Sequence, residues 1–261
     1  MSTTDSNRVQ SVGRACSLLF ALGGTPGGAS LAQLSRETGI HKSTACRLLA
    51  TLAAAGLVRQ VPPDDRYLLG AALPALGDAA RAHLLDGHLV HAVLTWLRDE
   101  TGETVHLGMP DRFELVYLDK VESGQSLQVA SRIGARAPLY CTGLGKAYLA
   151  NVSPQVLADF LSTVRLERRT PHTIVDPDLF RVEMATIRRR GWSVDDVENE
   201  IGVRCVGAAV LDAGRTPVAG VSVTAPATRM TKEKLPHVAV LVVEAAARIA
   251  KLIAREPAAA A

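Results

Sequence analysis

The chain has 261 residues, of which 48% are hydrophobic, 21% charged and 4% aromatic. This composition supplies enough apolar side chains for hydrophobic cores, and it excludes a disordered or fibrous chain. At roughly 100–200 residues per domain, the length favours two domains over one.

Membrane, secretion and metal signals are not visible in the sequence. The best apolar run, Val238–Val243, ends at Glu244 and is far shorter than the roughly 20 residues of a membrane span. Residues 1–7 are polar, so we expect no secretory signal. The four cysteines are far apart and show no CxxC spacing: Cys16, Cys46, Cys141 and Cys205. We therefore expect a cytoplasmic protein with no disulfide framework, metal, cofactor or membrane partner.

The net charge of +3 is concentrated in the first quarter of the chain. Residues 1–70 contain seven Lys and Arg residues against four Asp and Glu residues, whereas the remaining 191 residues contain 22 of each. A small basic module attached to a larger neutral one is typical of a protein whose smaller part binds a polyanion. The same charge also fits an ordinary soluble surface, so the charge alone does not distinguish the two, and the sequence motifs are needed as well.

Three helices are predicted in the basic module. The first runs from about Arg8 to Leu22, and its expected apolar stripe consists of Val9, Val12, Cys16 and Leu19. The second begins at Ser30, where Gln33 completes a capping box, and ends at Gly39. The third covers about residues 42–55, with apolar residues at helical spacing. Two short helices joined by a glycine turn predict a helix-turn-helix.

The outer face of the third helix carries the candidate DNA contacts. Lys42, Ser43, Cys46 and Arg47 point away from its apolar stripe, in the part of a recognition helix that enters the major groove. Arg47 can donate two hydrogen bonds to a guanine edge, while Ser43 and Thr44 suit phosphate oxygens. The alternative is a solvated helix face with two cations.

A β-hairpin is predicted directly after this helix. Residues 57–60 and 66–69 are short strands around a Pro- and Asp-rich turn. A hairpin in this position is a wing, and it would place Arg59 and Arg66 against the DNA backbone or minor groove.

These motifs together resemble the IclR-type family of bacterial transcription regulators, over nearly the whole chain. The matching residues of the basic module are Leu31–Leu34, Thr38–Thr44, Arg47–Leu49, Thr51–Leu52, Gly56–Val58 and Arg66–Gly70. The resemblance implies a winged helix-turn-helix domain over residues 8–70 and a homodimer or homotetramer that reads an inverted repeat in double-stranded DNA. It also implies that repression is the commoner outcome, although activation occurs too. Cys46 departs from the polar or aromatic residue that many members have there.

The remainder of the chain predicts an α+β domain on an antiparallel sheet. Residues 71–86 read as a linker helix, broken by Pro74, and a further helix extends to Thr101. Five strands are expected at 103–108, 114–121, 192–197, 203–211 and 218–224, with helices at 143–150, 153–161, 178–190 and 232–254. The resemblance implies that residues 87–255 form a GAF-like domain for effector binding and oligomerisation.

The run Gly134–Ala147 is the most distinctive in this larger module. It fails as a phosphate-binding loop, because Tyr140 and Ala147 occupy the positions of the first glycine and of the Ser/Thr. A glycine-rich turn that opens a helix can still present free N–H groups to a small carboxylate. Plain helix capping with tight packing at Gly143 and Gly145 is an equally simple interpretation.

The resemblance also implies an effector site. Carried over residue by residue, its positions are Gly143, Leu144, Asp195, Cys205, Ser222 and Thr224. These positions include no Arg or Lys, so the expected ligand is a small organic acid held by backbone N–H groups. Leu144 and Thr224 are larger than in some relatives, which prevents transfer of a known ligand. Asp195 could instead cap a turn, and Cys205 could be a small core residue.

Two other functions remain as alternatives. Cys141 and Cys205 could form a thiol-based redox sensor if their Cα atoms lie within about 7 Å. A GAF-like enzyme is disfavoured, because Ser222 lacks a GxSxG elbow and no HExxH spacing occurs. The sequence therefore predicts a transcription regulator that is not an enzyme and that responds to a small organic acid.

Overall fold

The computed structural model describes residues 9–62, 64–84, 87–126 and 131–254. The chain divides into two compact units, Met1–His83 and Leu84–Ala261. The predicted helix start at Arg8, the end of the linker at residues 85–86 and the domain end at residue 255 lie outside the described residues. Within the described ranges, no helix is long and apolar enough to span a bilayer.

The first unit is a winged helix-turn-helix, as predicted. Its elements are α1 (Gln10–Gly23), α2 (Leu31–Thr38), α3 (Lys42–Ala54), β1 (Val58–Val61) and β2 (Arg66–Leu69), followed by α4 (Ala72–Leu84). The strands β1 and β2 are antiparallel, and Val58 pairs with Leu69. Pro74 lies in the first turn of α4, where its missing N–H has no intrahelical partner to lose, so it does not break the linker helix.

The buried face of α1 differs from the predicted one. Val9 and Val12 are 65% and 60% exposed, whereas Leu18 and Leu22 are buried against the other helices of the unit. Both stripes satisfy helical spacing in this Leu- and Ala-rich segment. The face that packs is the one that meets α2 and α3, which the local periodicity of α1 alone does not specify.

Local caps set the ends of α2 and α3. The Ser30 hydroxyl accepts a hydrogen bond from the Gln33 N–H, as a capping residue does, while the Gln33 side chain donates to Glu37 instead of completing the box. Gly39 ends α2 with φ +68°, a left-handed conformation that strongly favours glycine. This turn brings the start of α3 to the surface within three residues.

The second unit is an α+β domain, as predicted. Its elements are α5 (Gly87–Thr101), β3 (Thr104–Asp111), β4 (Glu114–Val121), β5 (Arg136–Pro138), α6 (Gly143–Leu149), α7 (Pro154–Thr163), α8 (Pro177–Arg190), β6 (Ser193–Asp196), β7 (Val203–Leu211), β8 (Pro217–Pro226) and α9 (Leu235–Ile253). The six strands form one antiparallel sheet in the order β5-β4-β3-β8-β7-β6.

The two faces of this sheet have different partners. Aliphatic residues such as Val105, Val206 and Val221 point to one face and pack against α5 and α9. A second cluster, which includes Leu144 and Phe180, involves α6, α7 and α8. The sheet therefore lies between two helical layers, and the residues that alternate with its aliphatic core face α6.

The start of α6 lies very close to β7. A Cβ atom on Gly207 would be 2.5 Å from the Gly143 carbonyl carbon, so no larger residue fits at that position without a backbone shift. The Ser193 hydroxyl donates a 2.5 Å hydrogen bond to the Gly143 carbonyl and fixes the same contact. This close approach positions the Gly143–Leu144 backbone over the sheet.

Candidate functional site

The start of α3 presents the predicted DNA-contacting residues to solvent. Lys42, Ser43, Cys46 and Arg47 are exposed, and Thr44 is half-buried. The opposite side of α3 carries Ala45, Leu49 and Leu52, which are buried in the core of the first unit. The helix therefore has one apolar side and one polar side with two cations at its N-terminal end.

His41 caps this helix, a role that the sequence analysis missed. Its Nδ1 lies 2.9 Å from the Ser43 hydroxyl and 3.4 Å from the Ser43 N–H. The imidazole thereby accepts from a backbone N–H group at the start of the helix, as an N-cap side chain does. The sequence feature that could have predicted this cap is the position of the histidine, directly before an apolar helical pattern.

The two arginines of the wing have different surroundings. Arg59 and Arg66 are both exposed on the hairpin. The Arg66 guanidinium donates to the Gly27 and Gly28 carbonyls, each at 3.3 Å. Arg66 therefore ties the wing to the loop between α1 and α2, a structural role that the sequence did not indicate.

All six predicted effector residues line one cavity of about 180 Å³ in the second unit. Gly143 and Leu144 come from the start of α6, and the others come from the sheet. Among the described residues, the lining consists of His106, Tyr117, Ser131, Ala135, Arg136, Ala137, Pro138, Thr142, Gly143, Leu144, Arg169, Asp195, Asn199, Glu200, Val203, Cys205, Ser222 and Thr224. We call this cavity the sheet pocket.

Strand register explains why distant residues meet there. Cys205 on β7 is directly opposite both Asp195 on β6 and Thr224 on β8. Ser222 is opposite His106 on β3, and it is two residues from Thr224, so its side chain lies on the same face. Directly opposed residues in antiparallel strands share a face, which brings these five side chains together.

Asp195 both caps a turn and lines the pocket, so the two interpretations of this residue are compatible. Its Oδ1 accepts hydrogen bonds from the backbone N–H groups of Glu198 at 2.7 Å and Asn199 at 3.2 Å. Burial raises the pKa of Asp195 to about 7, although these hydrogen bonds act in the opposite direction. The carboxyl group is therefore close to half-protonated near neutral pH.

The two buried cysteines do not support the redox alternative. Burial raises the pKa of the Cys141 thiol to about 12, and burial raises the pKa of the Cys205 thiol well above its ordinary value. The thiolate is the reactive form of cysteine, so both groups are unreactive thiols near neutral pH. Cys205 instead accepts a 3.3 Å hydrogen bond from the Thr224 hydroxyl and acts as a small packing residue.

A neutral histidine and a tyrosine complete the inner wall, and the sequence analysis missed both. His106 is 2% exposed, and burial lowers its pKa to about 3, with Lys120 acting in the same direction. Its Nε2 lies 2.7 Å from the Ser131 hydroxyl, and its ring lies 5.0 Å from the Tyr117 ring. Alternation in β3 places His106 on the face opposite the aliphatic core, and that pattern was the signal.

The pocket also has two cationic side chains that the sequence did not indicate. The six positions that match the family have none, but Arg136 and Arg169 also line the cavity. Arg136 pairs with Asp111 and Glu114. Arg169 lies in the segment between α7 and α8, which no strand pattern could have connected with the sheet.

The described residues contain no group of three or more His, Cys, Asp or Glu side chains that could hold a metal ion. The sheet pocket has hydroxyl groups, a neutral imidazole, one largely buried carboxyl group and two guanidinium groups around a small cavity. Such a set can bind a small polar molecule by hydrogen bonds and charge pairing.

Comparison with known proteins finds a matching family model for each of the two units. The model for the IclR helix-turn-helix domain matches residues 11–62, and the model for the bacterial transcriptional regulator IclR C-terminal domain matches residues 83–251. The transcriptional repressor IclR of Escherichia coli is 31% identical over 246 residues, which cover 94% of this chain and 90% of that protein.

Solved structures share the fold over nearly the whole chain. The Thermotoga maritima IclR structure has a TM-score of 0.79 and 35% identity, covering 93% of this chain and 98% of that one. An IclR homologue from Microbacterium hydrocarbonoxydans, complexed with 4-hydroxybenzoate, has a TM-score of 0.82 at 19% identity, covering 94% of this chain and all of that one (100%). From the two matched domains and the relatives of similar length, we conclude that the chain belongs to the IclR family of bacterial transcriptional regulators.

Proposed function

We propose that this protein is a cytoplasmic repressor whose binding to an inverted-repeat operator is modulated by a small organic acid in the sheet pocket. The observation that carries the proposal is the pocket itself. Six positions that the family resemblance marks for effector contact, from four separate segments of the chain, line one cavity. A cavity lined by hydroxyl groups and charged side chains is suited to a small polar ligand.

The DNA-binding half of the proposal rests on the surface of α3. Arg47 and Lys42 are exposed on the side away from the core, and Ser43 is beside them at the helix start. In a winged helix-turn-helix, this end of the recognition helix enters the major groove, and the wing contacts the backbone or minor groove. We therefore assign base contact to Arg47, and phosphate contact to Lys42, Ser43 and Thr44, with Arg59 on the wing.

Cys46 and Arg66 take different parts in this proposal. Cys46 is exposed between the α3 cations and is a small group for van der Waals contact with a base. Arg66 donates to two loop carbonyls, so its contribution to DNA binding is to hold the wing in position and to add positive charge. Substitution of Arg66 should therefore affect stability as well as affinity.

A homodimer or homotetramer follows from the small size of one DNA-binding head, the winged helix-turn-helix of a single chain. A single recognition helix contacts few base pairs, and a genome offers a very large number of competing sites. Two symmetry-related heads reading an inverted repeat give the required affinity and specificity. An acid that binds one arrangement of the heads better than another shifts the population between states that fit and misfit the operator.

The ligand class follows from the chemistry of the sheet pocket. The Ser222 and Thr224 hydroxyls and the Tyr117 ring suit a flat or aliphatic body with a hydroxyl group. The homologue that binds 4-hydroxybenzoate makes that acid a suitable first probe. A second carboxylate would meet Asp195 and Glu200, so we expect monocarboxylates to bind better than dicarboxylates.

Thermal shift with a panel of acids tests the pocket assignment. Thr224→Trp should fill the cavity and abolish the stabilisation that 4-hydroxybenzoate, benzoate or hexanoate gives to the wild type. Gln155→Trp, on the exposed surface of α7, is the matched control and should respond like the wild type. Equal responses of all three proteins, or a preference for amines over acids, would contradict the assignment.

A further inference from the structure

Arg169 is the cation of the sheet pocket that has no carboxylate partner among the described residues. The other lining cation, Arg136, is neutralised by Asp111 and Glu114, with 3.2 Å between its Nη1 and Glu114 Oε2. Among the described residues, the Arg169 guanidinium makes one hydrogen bond, which Nε donates to the Asn199 carbonyl at 3.2 Å. A backbone carbonyl holds the guanidinium in place but leaves its charge uncompensated.

The position of Arg169 relates it directly to the wall of the cavity. Asn199 lies in the turn capped by Asp195, and both residues line the pocket. Arg169 itself is exposed, whereas Ser222 is 1% exposed, so Arg169 lies at the open side and Ser222 at the closed side. Its positive charge also reaches the segment just before α6, since it lowers the pKa values of Cys141 and Tyr140 against the larger effect of burial.

We propose that Arg169 is a specificity-determining residue that pairs with the effector carboxylate, and that Glu200 disfavours a second one. This inference rests on the proposed function, since it presumes that the sheet pocket binds an acid. One uncompensated cation at the open side can neutralise one carboxylate, and a guanidinium can do so with two parallel hydrogen bonds. Glu200, exposed on the same lining, repels any further negative charge.

Matched acids and amides separate charge pairing from shape. The probes are 4-hydroxybenzoate, benzoate and hexanoate with their primary amides, titrated into the full-length protein by calorimetry. Arg169→Gln keeps a hydrogen-bond donor but removes the charge. This variant should lower the binding affinity for the acids by about tenfold to a hundredfold, the range of a charge-assisted hydrogen bond. The affinity for the amides should change by less than about twofold.

Three further variants complete the design. Arg168→Gln removes a neighbouring exposed cation that does not line the pocket and donates to the Pro171 carbonyl, so acid affinity should stay at the wild-type value. Glu200→Gln should improve binding of terephthalate, a dicarboxylate, relative to benzoate. Arg169→Lys keeps the charge and should retain part of the acid affinity.

The outcomes distinguish this inference from the proposed function. Acids that bind the wild type and the Arg169→Gln variant equally well would overturn the role of Arg169 while leaving the pocket as the effector site. Equal losses for acids and amides would mean that Arg169 acts only on the shape of the pocket, and would also overturn it. A wild type that binds none of the acids would overturn the proposed effector class, and the inference with it.

Discussion

Lys146 Nζ lies 2.5 Å from Glu198 Oε1 in the core of the second unit, where the lysine is 1% exposed. The same ammonium group donates to the Val194 carbonyl at 2.8 Å and lies 3.2 Å from Glu183 Oε1. Lys146 is on α6, and Glu198 belongs to the turn capped by Asp195. This ion pair therefore connects the helix that carries Gly143 and Leu144 with the opposite wall of the sheet pocket.

Removing the charge of Lys146 should destabilise the second unit strongly. Lys146→Met keeps most of the side-chain volume but leaves Glu198 buried without its cation, and breaking a buried pair in this way lowers the free energy of unfolding by about 3–5 kcal/mol. Lys232→Met is the control, because Lys232 is 71% exposed and its 3.3 Å pair with Asp196 should contribute about 0–1 kcal/mol. Urea unfolding of both variants checks this, and similar losses would contradict it.

Three substitutions in the first unit should weaken DNA binding without unfolding the protein. Arg47→Ala should reduce binding by roughly 1–3 kcal/mol if it contacts a guanine, and Lys42→Ala and Arg59→Ala should each lower the salt dependence of affinity. Arg181→Ala, which removes an exposed arginine of the second unit, serves as the control. Fluorescence anisotropy at two salt concentrations measures all four. Unchanged affinity in the first three would exclude this surface from DNA contact.

Stability should depend on pH through Asp195. Burial raises its pKa from an ordinary value of 3.8 to about 7, so the folded state keeps a proton that the unfolded state releases. The contribution of this group to stability is therefore full below about pH 4 and is lost as the pH rises through 7. Between pH 5 and pH 8, wild type should lose roughly 2 kcal/mol relative to Asp195→Asn.

The asparagine variant isolates this effect from that of His106. His106 has a lowered pKa, so its stabilising contribution is lost as the pH falls below about 6.5, the opposite direction. Both proteins contain His106, and the difference between them reports Asp195 alone. Asp178→Asn, at an exposed site, should follow the wild type. Parallel unfolding curves for wild type and Asp195→Asn would show that the Asp195 carboxyl group is not protonated in the fold.

The assembly should be an even-numbered oligomer. Light scattering at micromolar concentration should give a dimer or a tetramer, and a duplex with one half-site should bind much more weakly than one with two. The second half-site adds contacts at a high effective concentration once the first is bound. A monomer that binds its operator tightly would rule out this arrangement.

Local sequence patterns predicted the elements better than their packing. The winged helix-turn-helix and five strands of the sheet follow from spacing and turn residues, which act within a few positions. The strand β5 has only three residues, Arg136–Pro138, which is too short to show alternation. The predicted buried face of α1 was wrong because this helix has two apolar stripes at helical spacing. Only contact with α2 and α3 determines that Leu18 and Leu22 are the buried residues.

The residues of the sheet pocket also fall into those that could be predicted and those that could not. Family resemblance identified Asp195, Cys205 and Thr224, which are directly opposed across three strands. His106 and Arg169 were missed, because the pairing of β3 with β8 and the path of the α7–α8 segment are long-range features. Pocket chemistry that depends on such contacts, including its positive charge, becomes visible only in the folded chain.

The most direct test of the account is selection of bound duplexes from a random DNA library with the full-length protein, with elution by 4-hydroxybenzoate, benzoate or hexanoate. We expect enrichment of an inverted repeat whose half-sites are about 10 base pairs apart or a multiple of that spacing. We also expect acid to release this DNA from the wild type but not from the Thr224→Trp variant. Absence of an enriched repeat, or equal release from both proteins, would contradict the proposed function.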